Sequence, residues 1–377
     1  MAWFIGLMSG TSLDGVDGVL AWSPEPASPP DMGTALQCRG HAHRPLGDDL
    51  RAELLALNRS GADELHRAAL TANRLMAVYA EVVAELLARA GLAARDIVAL
   101  GAHGQTLRHR PGEFDGVGYT CQLANGALLA ERTGIDVVCD FRSRDLAAGG
   151  QGAPLVPAFH AGCFARPGAW VAVLNVGGIA NLTLLGPEGQ VQGFDCGPGN
   201  MLMDLWCQRH LGRSYDEGGA WAAGGRVDEA LLSALLHEPF FARMPPKSTG
   251  RDLFDAAWLD RHLGLATTSA QDVMATLTEL SARAATQDLQ RHAPEGQELL
   301  VCGGGAFNEH LMARLAALAG PTVRVRSTAA AGLPPDQVEA MAFAWLARAH
   351  VLRQAGNLPR VTGAAGPRVL GALYPAA

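Results

Sequence analysis

The sequence predicts an α/β protein built from two similar halves. A short apolar strand, a glycine-containing turn and a returning strand occur at 3–22 and again, about 170 residues later, at 169–185. Alternating helical and strand patterns follow each hairpin, as in α/β folds. A chain of 377 residues also exceeds one typical hydrophobic core, which favours two domains. A duplicated fold of this kind predicts a ligand-binding cleft between the halves.

Composition restricts the possible function classes. Hydrophobic residues make up 49% of the chain and charged residues 18%, which excludes a disordered protein. The formal charge of −7 argues against nucleic-acid binding through a large basic surface. Seven scattered cysteines without a CxxC pair argue against a disulfide framework or a Cys-rich zinc site. The sequence shows neither a secretory leader nor an apolar run of about 20 residues, so we expect a cytoplasmic protein without membrane contact.

Hydrophobic spacing predicts the elements of the first half. We expect strands at 3–8, 16–22, 97–101, 117–123 and 135–139, and helical structure over 48–90 and 125–133. Residues 142–157 contain three glycines and two prolines without a clear period, which predicts a long loop leading into a helix around 158–165. We place the domain boundary there, between 1–160 and 161–365, and expect the tail 366–377 to return to the first domain.

The second half is predicted in the same way. Strands are expected at 169–174, 179–185, 191–194, 298–302 and 323–325, and helices over 201–211, 226–237, 252–263, 270–292, 309–319 and 335–355. Asn200 and Asn308 stand where helix N-caps are expected, and Pro335 and Asp336 are predicted to open the last helix.

Glycine turns at strand ends are the main candidates for phosphate binding. Gly10–Gly15 has the glycine spacing of a P-loop, but Val16-Asp17 replaces the Lys-Ser/Thr pair that a Walker A motif requires. Gly303–Gly305 follows a strand, yet Asn308 stands where a dinucleotide fingerprint has its third glycine. The remaining feature is a set of separate turns, including 177–178. Backbone N–H groups in such turns bind anions, so we predict a phosphate site.

Seven motifs occur in one order along residues 3 to about 363. They are MSGTSLDGVD (8–17), GQT (104–106), GQGAPL (150–155), NVGGIANLT (175–183), GFDCGPGN (193–200), KSTGR (247–251) and CGGGAFN (302–308). In this set the chain resembles the anhydro-N-acetylmuramic acid kinase family of the actin/Hsp70/sugar-kinase superfamily. The resemblance implies a two-domain duplicated actin-like ATPase (ribonuclease H-like) fold with an interdomain cleft, and a homodimer.

The resemblance also implies an activity. The family's kinases open and phosphorylate 1,6-anhydro-N-acetylmuramic acid with ATP and water. The products are N-acetylmuramic acid 6-phosphate and ADP, formed during recycling of cell-wall fragments. The amino sugar and ATP are therefore the expected partners, with Mg²⁺ as the expected metal.

Individual residues match the family's motifs. Asp195 matches the catalytic base. The expected ATP-binding residues are Gly10, Thr11, Ser12, Leu13, Asp14, Gly15, Val16 and Asp17 in the first phosphate loop, Asn175, Gly177, Gly178 and Asn181 in the second, and Gly303, Gly304, Gly305 and Asn308 in the adenosine motif. Asp14 and Asp17 are the nearby carboxylates for water-mediated Mg²⁺ contact, and the sequence does not choose between them.

The chemistry of the residues agrees with that match. A carboxylate can deprotonate the attacking water, and phosphoryl transfer needs mainly positioning and charge neutralisation. The turn after Asp195 is expected to expose its side chain to the cleft. The alternative role, an N-cap for the helix at 201–211, suits Asn200 better.

A further set of residues is expected on the sugar side. It comprises His103, Gln105, Thr106, Asp140, Arg142, Gln151, Gly152, Ala153, Pro154 and Glu339. His103 could instead be a structural turn residue, and Glu339 a solvated helix carboxylate. Arg142, Arg144 or Arg251 could each pair with the lactyl carboxylate. The segment 247–251 has no role that the sequence reveals.

Three alternatives remain at this stage. A kinase for an ordinary hexosamine would use the aspartate to activate a sugar hydroxyl. An actin- or Hsp70-like module would couple ATP to assembly or client binding, although the chain has no added peptide-binding domain. A metal-dependent relative that modifies tRNA would require an HxxxH motif, which none of the 12 histidines forms.

Overall fold

A computed structural model describes residues 2–24, 36–250, 253–264 and 268–377. Tertiary contacts divide the chain into unit 1, Met1–Cys163 with Gln337–Ala377, and unit 2, Phe164–Asp336. The chain first passes from unit 1 to unit 2 after Cys163, close to the predicted boundary at 160. The return to unit 1 differs from the prediction, because 337–365 were expected in the second domain and instead belong to unit 1.

Unit 1 has a mixed sheet with helices packed on it. Its elements are β1 (Ala2–Met8), β2 (Gly15–Ser23), β3 (Gln37–Pro45), α1 (Asp48–Leu57), α2 (Glu64–Ala90), β4 (Ile97–Ala102), β5 (Gln105–Pro111), β6 (Gly118–Leu123), α3 (Gly126–Thr133), β7 (Val137–Cys139), α4 (Ser143–Ala147) and α5 (Val156–Phe164), which reaches the boundary.

Unit 2 repeats the pattern of a sheet covered by helices. Its elements are β8 (Val171–Val176), β9 (Ile179–Leu185), β10 (Val191–Pro198), α6 (Met201–Leu211), α7 (Ala220–Ala223), α8 (Glu229–Leu236), α9 (Pro239–Ala242), α10 (Ala256–Leu263), α11 (Ala270–His292), β11 (Glu298–Cys302), α12 (Glu309–Ala319) and β12 (Arg324–Ser327). The chain then returns to unit 1 through α13 (Val338–Val351), α14 (Pro359–Thr362) and β13 (Ala372–Tyr374).

Strand order shows that the two sheets have one topology. In unit 1 the order is β3-β2-β1-β4-β7, with β13 added at the β7 edge. In unit 2 it is β10-β9-β8-β11-β12. In each unit the first three strands form an antiparallel meander and the next two run parallel to the first. The duplicated, actin-like α/β fold predicted from the sequence is therefore confirmed.

Helix α13 packs directly on the first sheet, which explains why 337–365 belong to unit 1. Nearly all of this helix is buried, so it needs cover on several sides. A Cβ atom on Gly6 of β1 would lie 1.8 Å from the carbonyl oxygen of Ala340, and one on Gly101 of β4 would lie 2.0 Å from that of Phe343. Only glycine permits so close an approach of helix backbone and sheet.

Several element boundaries differ from the predictions. The helical stretch 48–90 is interrupted after Leu57, and helix α4 lies inside the predicted loop 142–157. Helix α13 begins at Val338, three residues later than predicted from Pro335. Strands β3, β5 and β13 were not predicted. Such short or polar edge strands lack the apolar alternation by which strands are recognised. Residue 252 of the predicted helix 252–263 lies outside the described residues.

Within the described part of the chain, no helix has both the length and the apolar character needed to cross a membrane.

We predict that Gly6→Ala destabilises unit 1 by about 3 kcal/mol, because the added methyl group must push α13 away from the sheet. Gly40→Ala is the matched control. Its Cβ would lie 3.6 Å from the Cβ of Leu20, an ordinary contact. Urea unfolding of both variants measures the difference, and an equal loss of stability in the two would contradict the packing argument.

Candidate active site

The first glycine turn connects β1 to β2 and is closed by its own polar groups. The N–H of Leu13 donates to the carbonyl oxygen of Gly10 (3.2 Å), with Leu13 in the left-handed region at φ 58°. The Asp14 carboxylate accepts from the Ser12 hydroxyl (2.8 Å) and from the N–H of Gly15 (2.9 Å). The turn proper is therefore residues 9–14. Val16 and Asp17, also predicted to bind ATP, lie inside β2.

Gln105 supports this turn with a side-chain hydrogen bond. Its buried side chain donates from Nε2 to the carbonyl oxygen of Gly10 (3.1 Å). The neighbouring Ser9 hydroxyl bonds to the Tyr79 hydroxyl (2.9 Å) and donates to the carbonyl oxygen of Gly104 (3.1 Å). The GQT motif was predicted to face the sugar, and the structure brings it against the first glycine turn.

His103 and Arg142, both predicted on the sugar side, contact each other. Arg142 donates from Nη2 (2.9 Å) and Nε (3.3 Å) to Nε2 of His103, and from Nη1 to the carbonyl oxygen of Gly152 (2.9 Å). Burial, and then the charge of Arg142, lower the pKa of His103 to about 3. A neutral imidazole that accepts at Nε2 carries its proton on Nδ1. At least three of the five N–H groups of Arg142 are thus used inside unit 1.

Asp145 connects the predicted substrate loop to the end of the chain. Its buried carboxylate accepts from the N–H of Gly152 (2.8 Å), the side-chain amide of Asn357 (2.7 Å) and the hydroxyl of Thr362 (2.8 Å). The N–H of Gln151 donates to the carbonyl oxygen of Thr362 (2.7 Å). Sequence reasoning missed Asn357 and Thr362. They lie more than 200 positions from Asp145, and no local spacing links such distant residues.

The other residues predicted on the sugar side lie in separate elements of unit 1. Asp140 is exposed, has a φ of 55° and accepts from the Ser143 hydroxyl. Thr106 lies in the two-stranded sheet of β5 and β6, where it accepts from Gln122 (3.3 Å). Ala153 and Pro154 are joined by a cis peptide bond. Glu339 is half-buried in the first turn of α13.

In unit 2 the second glycine turn, Gly177–Gly178, is held by the start of α6. The N–H groups of Gly199 (2.9 Å) and Met201 (3.2 Å) donate to the carbonyl oxygen of Gly178, and that of Asn200 (2.8 Å) donates to the carbonyl oxygen of Gly177. A Cβ on Gly199 would lie 2.3 Å from the latter oxygen. Asn200 was expected to cap α6, but its side chain donates to the carbonyl oxygen of Val176 (3.0 Å) instead.

The third glycine motif lies beside the second. A Cβ on Gly303 would lie 2.4 Å from Oδ1 of Asn175, and one on Gly305 would lie 2.3 Å from Val176. Asn308 accepts from the N–H of Leu311 (2.9 Å) and caps α12, as predicted. Gly304 and Gly305 lie in a single 3₁₀ turn, Gly304–Phe307, which Gly303 precedes. The two predicted nucleotide motifs of unit 2 therefore pack directly against each other.

Asp195 lies in register with two asparagines of the second motif. It pairs with Asn181 on β9, which pairs with Asn175 on β8. Directly opposed residues of neighbouring strands share one face of a sheet. Asp195 was expected at a strand end, but β10 continues to Pro198, with a bulge between Asp195 and Gly197. Bulges redirect side chains next to functional sites.

The segment after α9 contacts Asp195 directly. The N–H of Thr249 donates to Oδ2 of Asp195 (2.9 Å), and the N–H of Asp195 donates to the carbonyl oxygen of Lys247 (3.1 Å). Sequence reasoning gave this KSTGR motif no role, because it lies about 50 positions from the strand that it contacts. Arg251, one candidate partner of a lactyl carboxylate, lies outside the described residues.

The two candidate metal carboxylates differ in their surroundings. Asp17 bonds to Nδ1 of His43 (2.9 Å) and Nε2 of His41 (3.1 Å). Burial raises the pKa of Asp17, but these two imidazoles outweigh it and hold the pKa below its usual value. Asp14 is exposed. The described residues contain no cluster of three or more acidic, His or Cys side chains able to hold a metal ion.

Comparisons with known proteins agree along the whole chain. A family model described as "Anhydro-N-acetylmuramic acid kinase" matches residues 2–376. A protein of that name from Variovorax paradoxus is 59% identical and covers 99% of both chains, and one from Bordetella petrii is 59% identical over 99% of this chain and 96% of its own.

A more distant likeness is to a solved structure, an activator of 2-hydroxyisocaproyl-CoA dehydratase from Clostridium difficile. It has a TM-score of 0.46 and 12% identity, and the match covers 92% of this chain and 94% of that one. The fold assignment rests on the strand order described above.

We predict that Asp145→Asn lowers the free energy of unfolding by about 2–3 kcal/mol. Its side-chain N–H₂ must face at least one of the three donors that Asp145 accepts from, and that donor is left buried and unpaired. The double variant D145N/N357D exchanges donor and acceptor and should recover part of the loss. Thermal unfolding of the wild type and the variants measures both. A double variant no more stable than D145N would exclude this network as the cause.

Proposed function

The chain belongs to the anhydro-N-acetylmuramic acid kinase family, and we propose which of its residues perform the reaction of that family. The protein is a kinase that phosphorylates 1,6-anhydro-N-acetylmuramic acid with ATP in the recycling of peptidoglycan. The single observation that carries this assignment is a family match over essentially every residue of the chain. We further propose that it works as a homodimer in the cytoplasm.

Asp195 is the proposed catalytic base. The oxygen of a water attacks the anomeric carbon, the bond from that carbon to O6 breaks, and O6 takes the γ-phosphoryl group while ADP leaves. The proton of the attacking water passes to the Asp195 carboxylate. The register of Asp195 with Asn181 and Asn175 supports this role, since the three residues share one face of the sheet and the two asparagines belong to the proposed second phosphate motif.

The glycine turns are the proposed triphosphate site. Residues 10–15, with Thr11 and Ser12 among them, and the turn 177–178 would contact phosphate oxygens through backbone N–H groups. Residues 303–305 and Asn308 would contact the adenosine. Asp14 is the better placed carboxylate for water-mediated Mg²⁺, because Asp17 is already bonded to two histidines. Mg²⁺ bound there supplies neutralisation of phosphate charge.

The sugar is proposed to bind through the network of His103, Arg142 and the loop 151–154, together with Asp140 and Glu339. Neutral His103 and the carbonyl oxygen of Gly152 hold the planar guanidinium of Arg142 in one orientation. A fixed guanidinium is suited to a carboxylate such as the lactyl group. Gln105 supports the first phosphate turn from its buried position.

The experiment that tests the activity is an ADP-release assay with three sugars: 1,6-anhydro-N-acetylmuramic acid, N-acetylmuramic acid and N-acetylglucosamine. We expect turnover with the first alone. Run in ¹⁸O-labelled water, the reaction should place the label at C1 of the product. Turnover without label would mean that water is not the nucleophile, as in an ordinary hexosamine kinase.

We predict that Asp195→Asn lowers kcat at least about 100-fold, because the amide cannot accept the proton of the water. Equilibrium binding of ATP should be nearly unchanged. Steady-state kinetics and calorimetric titration with ATP measure the two quantities. Loss of ATP binding in a folded variant would assign Asp195 to the nucleotide site instead.

A further inference from the structure

The connection between α9 and α10 reaches back across β10 at Asp195. Two backbone groups of this connection bond to that one residue: the carbonyl oxygen of Lys247 accepts from its N–H, and the N–H of Thr249 donates to its Oδ2. A hydrogen bond to one carboxylate oxygen restricts rotation of the carboxylate. The connection therefore restrains both the backbone and the side chain of Asp195.

A buried ion pair anchors the connection. Nζ of Lys247 lies 2.8 Å from Oδ2 of Asp288 on α11, and their side chains are 1% and 5% exposed. The same ammonium lies 5.7 Å from the ring centre of Phe194 and 5.1 Å from that of Phe240. Phe194 directly precedes Asp195 in β10. The charge of Lys247 thus contacts both α11 and the strand that bears Asp195.

Helix α11 also contacts the far end of the same strand. The hydroxyl of Ser281 donates to the carbonyl oxygen of Gly199 (2.9 Å), and the ring of His292 lies edge-on to Phe194 at 5.2 Å. One helix therefore holds the chain on both sides of Asp195. Burying two charges costs desolvation that an apolar pair would avoid, so an ion pair here contributes little to stability. The effect of this ion pair is to fix the position of Lys247.

We propose that Lys247 and Thr249 are positioning residues for Asp195, with the Lys247–Asp288 pair as their anchor. The inference rests on the proposed role of Asp195 as the base. Thr249 orients the carboxylate through its amide, and Lys247 keeps the Thr249 amide in place. Neither residue needs to touch the substrate. Misplacing a catalytic group by about 1 Å can lower the rate about 100-fold, so the segment controls kcat without binding either substrate.

Thr249→Pro tests the amide, because proline has no N–H. We expect kcat to fall about 100-fold, while KM for ATP and for the sugar changes less than about threefold. A purely structural defect would lower the amount of folded protein or raise KM instead. A folded T249P variant with wild-type kcat would overturn the positioning role.

A double variant provides a second test that does not depend on proline. K247M/D288L removes both buried charges together and so leaves neither unpaired. We expect it to fold and to have a kcat about tenfold below that of the wild type, again with KM values nearly unchanged. A double variant with a kcat within twofold of the wild type would overturn the proposed anchoring role of the Lys247–Asp288 pair.

The matched control is R314M/E279L, which removes another ion pair of α11. Glu279 of α11 is buried and pairs with Arg314 of α12 (2.6 Å) and with Arg283 of α11 (2.9 Å), without contacting β10 in any described bond. This pair of changes should lower stability without changing kcat. D195N separates the proposed role of Asp195 as the base from the proposed positioning role of Lys247 and Thr249. If D195N is active, the proposed base is wrong; if D195N is inactive and both T249P and K247M/D288L behave as wild type, only the positioning role is wrong.

Discussion

Close approach of backbone to backbone, permitted by glycine, is the constraint on which the loops of both units depend. In unit 1, α13 lies so near the sheet that Gly6 could carry no side chain. In unit 2, Gly199 lies against the carbonyl oxygen of Gly177, and Gly303 lies against that of Val176. A glycine content of 45 residues in 377 therefore has two uses: some glycines form turns, and others let helices and turns lie at distances that a methyl group would prevent.

Once these approaches are made, buried polar groups determine how the loops are oriented. The backbone of each loop carries donors and acceptors that must be paired when water is excluded. In unit 1 the pairing is done by Gln105 beneath the first turn, and by Asp145 beneath the loop 150–154. In unit 2 it is done by Asn200 and the first N–H groups of α6. The loops are consequently held by the fold itself, and a backbone fixed in this way lowers the entropic cost of binding a ligand.

Asp145 and the proposed base Asp195 are two carboxylates in different surroundings. Both accept a backbone N–H, at 2.8 and 2.9 Å. Asp145 is fully buried and also receives two side-chain donors, so its oxygens are occupied by the fold. Asp195 is only half-buried and lies on the face that carries Asn181 and Asn175. Partial exposure beside polar neighbours is what a general base requires, since it must reach a water.

The sequence by itself determined the α/β class, the duplicated hairpins, the long helices and the family, because each is written in local periodicity or in contiguous motifs. Asn308 is one example: its capping role follows from residues within one helical turn. Only the tertiary structure decided that 337–365 belong to unit 1, that Asn200 contacts Val176 instead of capping α6, that Gln105 supports the first glycine turn, and that Lys247 and Thr249 bond to Asp195 or anchor the segment that does. Each of these depends on contacts between segments far apart in the chain, or on the direction of a side chain. Hydrophobic spacing reports only local structure, so it predicts neither long-range contacts nor side-chain directions.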